Sequence, residues 1–159
     1  MSNSIEENGA KFLGEGIAKC ATLTYLNIDL INNSIGKDGA KYLGEGLARC
    51  VNLTSLNLNL NGNKIGVNGF KYLGEGIGKC VHLTSLYLNF YYSYIGVKSA
   101  KYVGEIARCA TLTSLDLNLS KNNIGDNGAK YLGEGISKCV TLTSLNLDLS
   151  SNKIDLNSA

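Results

Sequence analysis

The sequence predicts an α/β solenoid of about five 30-residue repeats, with parallel strands on one side and helices on the other. Two observations carry this. The five cysteines, Cys20, Cys50, Cys80, Cys109 and Cys139, fall at steps of 30, 30, 29 and 30. Each step also repeats one pattern, an alternating run such as "LTSLNLNL" and then a glycine-rich segment such as "DGAKYLGEGLARC". A fixed period of this length arises when each unit buries its apolar face only against its neighbours. The chain therefore reads as a single domain over 1–159, in repeats of roughly 3–32, 33–62, 63–92, 93–121 and 122–151 with a partial unit at 152–159.

Leu56, Leu58 and Leu60 alternate with Asn57 and Asn59, the period-2 signature of a strand with one buried face. In the segment that follows, Ala40, Leu43, Gly44 and Leu47 fall at helical spacing and form one narrow inward stripe. Asp38, Asn68 and Asn127 stand just ahead of that stripe and are expected to cap the helix through their short polar side chains. Proline would break either element, and the chain contains none.

These residues carry a family resemblance. "LTSLNLNLNGNKIG" with its following helix resembles a leucine-rich repeat, Leu58, Leu60, Asn63 and Ile65 matching L-x-L-x-x-N-x-I. Its length and helical half are similar to the ribonuclease-inhibitor-like class, and the wording resembles large repeat families of ciliates. The resemblance covers essentially the whole chain and implies a right-handed horseshoe arc, strands concave and helices convex. It also implies a buried ladder of Asn33, Asn63, Asn122 and Asn152 that satisfies backbone groups where the chain turns.

Composition narrows the function classes. A net charge of +2 gives no global field toward nucleic acid or an anionic membrane. The opening "MSNSIEENGAKFLGEGIAKC" has no signal-peptide core, and no stretch approaches the roughly 20 apolar residues of a membrane span. A cytoplasmic setting is the expectation, in a cytoskeletal or ciliary assembly if the ciliate resemblance extends to role.

In an array, a feature present in every unit serves stacking, because catalysis needs one site and stacking needs them all. The cysteine column reads as reduced, buried thiols, since neighbouring helices about 8–10 Å apart do not suit a disulfide. The "GEG" glycines lie inside the helix and read as close packing, with Phe12, Tyr42, Tyr72, Tyr102 and Tyr131 laying rings over glycine of the next unit. Lys41, Glu45 and Arg49, four apart, read as a solvated face stabilised in the Glu-to-Arg sense. His82 is the only histidine, and no nucleophile–base arrangement or metal-ligand spacing surrounds it. Neither catalytic residue, metal nor cofactor is expected.

Function is expected where units differ. The concave rows contain Asp29, Asp116 and Asp148 and no Lys, Arg or His. Such a face suits hydrogen bonding to protein and repels phosphate backbones. One slot departs from the rest: "NFYYSYIG" at 89–96, where other units read "DLINNSIG", "NLNGNKIG", "NLSKNNIG" or "DLSSNKID". Phe90 replaces a core leucine and Ser93 the ladder asparagine. Lys98 stands in the cap slot, Ser99 replaces glycine and is expected to cap in its place, and the helix loses a residue before Cys109. That helix is expected to be shortened and displaced. Drift or selection could produce such a unit, and four tyrosines within eight positions favour selection. The expected partner-binding residues are Tyr87, Asn89, Tyr91, Tyr92 and Tyr94 with Asn57, Asn59, Asp116 and Asn118. Tyr87 and Tyr91 are expected on the concave face, and Tyr92 and Tyr94 on the turn after it.

The expected function is a non-enzymatic scaffold that binds a protein partner, without nucleic acid or membrane. The opening and closing half-units lack a polar cap, so an architectural subunit that stacks end to end, or a piece of a longer array, is the alternative. A GTPase-activating accessory role is implied by fold analogy alone.

Overall fold

The computed structural model describes residues 5–106 and 110–155. Strands and helices alternate: α1 (Glu6–Ala18), β1 (Tyr25–Asp29), α2 (Gly36–Leu47), β2 (Ser55–Asn59), α3 (Gly66–Ile77), β3 (Ser85–Asn89), α4 (Val97–Ile106), β4 (Ser114–Asn118), α5 (Gly125–Ile136) and β5 (Ser144–Asp148). The strands form one parallel five-stranded sheet in the order β1-β2-β3-β4-β5. Each helix returns the chain to the start of the next strand, giving an α/β solenoid arc.

Alternation places Leu56 and Leu58, Leu86 and Leu88, and Leu115 and Leu117 inside, against Leu43, Leu73 and Val103 of the helices. The register runs Ser85↔Ser114 and Asn89↔Asn118, so the 29-residue step leaves the sheet undisturbed. Its missing residue falls after Gly104, near the C-terminal end of α4. Residues 107–109, Cys109 among them, lie outside the described residues. Threonine hydroxyls stack the strand entrances: Thr54 donates to the Thr24 carbonyl at 2.9 Å, Thr84 to Thr54 at 3.1 Å and Thr143 to Thr113 at 3.0 Å.

The asparagine ladder is present and buried. Asn63 Oδ1 accepts the N–H groups of Asn33 and Ile35 at 3.0 and 3.2 Å, and its Nδ2 donates to the carbonyl of Leu30 at 2.7 Å. Asn122 does the same for Ser93, Ile95 and Phe90. A side chain with both an acceptor and a two-proton donor is required there, and among uncharged side chains of this length asparagine supplies both.

The helices are not capped as expected. Asp38, Asn68 and Asn127 lie inside the first turn, and the cap positions are Ile35, Ile65 and Ile124, which offer no side-chain acceptor. The first N–H groups instead reach the ladder carbonyl of the following unit, Glu6 to Asn33 at 3.0 Å, Gly36 to Asn63 at 3.1 Å and Gly125 to Asn152 at 3.0 Å. The backbone of the next turn thus does what a side-chain cap would do. Ser99 does not cap either: its hydroxyl is buried inside α4 without a hydrogen-bond partner.

The glycine columns pack, but on backbone rather than on rings. A Cβ on Gly14 would meet the Tyr42 carbonyl, and one on Gly44 the Tyr72 carbonyl. One on Gly46 would meet Gly14, one on Gly76 would meet Gly44, and one on Gly135 would meet Gly104. The rings lie instead in the grooves between helices, with Lys11 Nζ 5.8 Å from the Tyr42 ring and Lys41 Nζ 6.0 Å from the Tyr72 ring. Ion pairs on this face run from Lys to Glu four residues on, Lys41–Glu45 at 3.8 Å and Lys71–Glu75 at 3.8 Å, the reverse of the expected Glu-to-Arg sense. At the irregular unit the approach opens. Gly74 faces Ile106 Cγ1 at 3.2 Å and the Tyr102 carbonyl at 3.5 Å, because Ile106 stands where other helices have their second glycine. α4 is displaced from α3 accordingly, and it starts one residue later in its unit than its counterparts.

Candidate functional site

The irregular unit begins in the core. Phe90 directly follows the third strand in a leucine slot, and its ring meets that of Phe70 edge-on, with centroids 5.0 Å apart. Phe70 fills the slot that Ala10, Ala40 and Ala100 hold elsewhere, and both phenylalanines are fully buried. The sequence reading passed over Phe70, although its departure from the alanine column was visible. Ser93 is also fully buried. Its hydroxyl shares one proton between the Leu60 and Tyr91 carbonyls, both at 3.2 Å, where the Asn63 amide has a proton for each of its two.

The surface tyrosines follow from that strand exit. The chain after β3 alternates, so Phe90, Ser93 and Ile95 turn inward while Tyr91, Tyr92 and Tyr94 turn outward. Tyr92 and Tyr94 take positive φ of 49° and 59°, in slots where Asn32, Ser34, Lys64, Lys121 and Ser151 do the same. The two residues are 52% and 54% exposed, so they do not fill the space around Ser93. The Tyr91 and Tyr92 centroids are 6.4 Å apart, those of Tyr92 and Tyr94 5.2 Å, and the Tyr94 hydroxyl donates to that of Tyr92 at 3.3 Å. That bond, with the neighbouring Tyr92 charge and slight burial, raises the Tyr94 pKa. Lys121, which the sequence reading did not single out, places Nζ 5.3 Å from the Tyr91 ring centroid. Its pKa is raised, chiefly by hydrogen bonding to Tyr91.

Tyr87 lies apart from these three. It is half-buried on the outward face of β3, between Asn57 of β2 and Asp116 of β4. Among the described residues it has no ring contact with the other tyrosines. The expected patch is therefore two features: a rim of Tyr91, Tyr92 and Tyr94 on the turn, and Tyr87 at the centre of the sheet.

The row of Asn59, Asn89 and Asn118 has a structural duty the sequence reading did not see. Each Oδ1 accepts the backbone N–H two residues on, Asn61 at 3.3 Å, Tyr91 at 3.0 Å and Ser120 at 3.0 Å. Asp29 and Asp148 do likewise for Ile31 and Ser150. These are Asx turns that bend the chain out of the strand. Along the next row, Asp116 Oδ2 accepts from Asn146 Nδ2 at 3.0 Å. Among the described residues no three His, Cys, Asp or Glu side chains converge as metal ligands would. The convex grooves, lined by residues such as Lys41, Glu45, Tyr72 and Glu75, recur between helices and so belong to stacking.

A family model described as Leucine Rich repeat matches residues 108–133, and the same strand–helix unit recurs through one parallel sheet. The chain is a leucine-rich-repeat protein. No curated protein matches it. Within this leucine-rich-repeat frame, Leu115, Leu117, Asn122 and Ile124 sit at the positions through which the other units also form strand, ladder and helix entry. No described helix of the repeat array is long and apolar enough to cross a membrane.

Proposed function

We propose that this leucine-rich-repeat chain is a non-enzymatic scaffold that binds another protein through its concave strand face and the tyrosines of the third and fourth units. The exposure of Tyr92 and Tyr94 carries the reading. Two large rings stand more than half in water on a left-handed backbone that bulky residues disfavour. Rigid, amphipathic tyrosines of this kind dominate the binding energy of protein interfaces. The ribonuclease-inhibitor-like subclass belongs to the reading, supported by a full α-helix in each described unit. So does a cytosolic setting, supported by free thiols at Cys20 and Cys50.

The test is affinity capture from native lysate with the wild-type chain and with a Tyr87→Ser, Tyr91→Ser double variant. The expected result is a partner retained by the first and lost by the second, with both equally stable. Equal retention sinks the proposal.

An architectural role is a second reading, favoured by exposed apolar side chains on the outer units, Phe12 at 69% and Leu145 at 47%. Stacking of further repeats or of another copy would cover them. Concentration-dependent light scattering supports it, and a strict monomer removes the self-stacking form.

A further inference from the structure

We infer that the strand face takes an extended, arginine-bearing segment of the partner, with a guanidinium seated between the Tyr87 ring and the Asp116 carboxylate. The inference rests on the protein-binding reading and adds the chemistry of the occupant.

Tyr87 and Asp116 are register partners on β3 and β4, half-buried on the same face of the sheet. Adjacent strands lie about 4.8 Å apart, a separation one planar cation can bridge. The guanidinium would lie on the ring face and direct N–H groups at the carboxylate. Asp116 Oδ2 accepts from Asn146, and a carboxylate has about four lone-pair sites, so it retains capacity for the incoming group. β3 is the middle strand of the sheet, so this seat is central, where binding energy concentrates.

The charge of the surrounding face selects the same occupant. The outward positions of the five strands include Asp29, Asp116 and Asp148 and no Lys, Arg or His, although the whole chain carries +2. An acidic or phosphorylated segment would meet three carboxylates with no cation among the strands to offset them. Asp148 stays ionised to lower pH than usual, its carboxylate held by the N–H and hydroxyl of Ser150. Lys121, on the turn after β4, is engaged at the rim with Tyr91. Arginine fits better than lysine, because its flat fork can stack and donate at once.

The test is fluorescence anisotropy on the full chain with three labelled short peptides, alternating serine with arginine, lysine or glutamate. The arginine peptide is expected to bind best, roughly tenfold tighter than the lysine peptide, and to weaken with added salt. Asp116→Asn and Tyr87→Ser should each weaken it by roughly tenfold, while Tyr87→Phe retains it and circular dichroism shows all variants folded. Preference for the glutamate peptide, equal binding of all three, no binding, or an indifferent Asp116→Asn variant overturns the inference. If the captured partner ignores Asp116→Asn yet is lost with the tyrosine double variant, the arginine seat fails and the scaffold reading stands. If the double variant also keeps the partner, both fail.

Discussion

Asn122 accepts the backbone N–H of Ser93 at 3.1 Å, yet Ser93 makes no such bond to the unit before it. Asn63 Oδ1 receives two amide protons from its preceding unit. Among the described residues no counterpart runs from Asn63 or Ile65 to Ser93, whose hydroxyl is spent on two carbonyls. Restoring asparagine supplies the missing acceptor. Ser93→Asn should stabilise the protein by about 1–2 kcal/mol, and Asn122→Ala should cost about 3 kcal/mol by stranding buried backbone donors. Urea unfolding curves of the two variants check both signs.

The Phe70–Phe90 contact couples two departures from the repeat. Phe70→Ala should cost about 3–5 kcal/mol, because the cavity lies in a fully packed core. Phe90→Leu alone should cost about 1 kcal/mol. The double variant restores what neighbouring units carry. It should cost less than the sum by about 1 kcal/mol, a coupling a double-mutant cycle measures.

The glycines divide by what stands over them. On Gly76 a new Cβ would meet the backbone of Gly44, which cannot move aside as a side chain can. Gly133, inside α5, has nothing within 4 Å of that position. Gly76→Ala should therefore destabilise by about 2 kcal/mol or more, while Gly133→Ala should stabilise by about 0.5–1 kcal/mol. Thermal unfolding of the pair separates packing from helix propensity.

What the sequence disclosed about this fold was whatever recurs locally. Leu56 and Leu58 alternate, Asn63 and Asn122 keep their spacing, and both patterns read directly as strand and ladder. What it hid was contact between units. The cap on α2 is a carbonyl of Asn63, 27 residues past Gly36, and no side chain near Gly36 signals it. The Asx turn at Asn89 was legible in principle, since an Asx residue recurs at every strand end, but its oxygen could serve a partner or the backbone equally well. The tyrosine cluster was visible as composition, whereas its division into a rim and a separate Tyr87 depends on the bend after β3. Lys121 comes from the following unit and joins the rim only through stacking.

The thiols and Asp148 give opposite pH signatures. Burial raises the Cys139 pKa, and burial together with the nearby Cys20 raises that of Cys50. Their contribution is complete below the ordinary thiol range and is lost as pH rises through and beyond it. Asp148 is lowered, chiefly by the Ser150 N–H, so its contribution exists above the ordinary carboxylate range and is lost as pH falls through the depressed value. Melting temperature should thus decline at both extremes, with Asp148→Asn softening the acid limb alone. Peptide mapping after brief alkylation should find Cys20 modified well before Cys50, Cys80 and Cys139, which are buried.

Tyr92 tests whether the rim exists for stability or for binding. Its φ of 49° costs a bulky residue on the order of 1 kcal/mol. The same slot in the preceding unit is Gly62, at φ 72°, which bears no such cost. Tyr92→Gly removes an exposed ring and its bond to Tyr94 while relieving the backbone. Stability should hold or rise by about 0.5–1 kcal/mol, and capture of the partner should fall. A clear loss of stability with capture intact would make the rim a structural brace, and the selection that kept tyrosine at an unfavourable backbone would then need another cause.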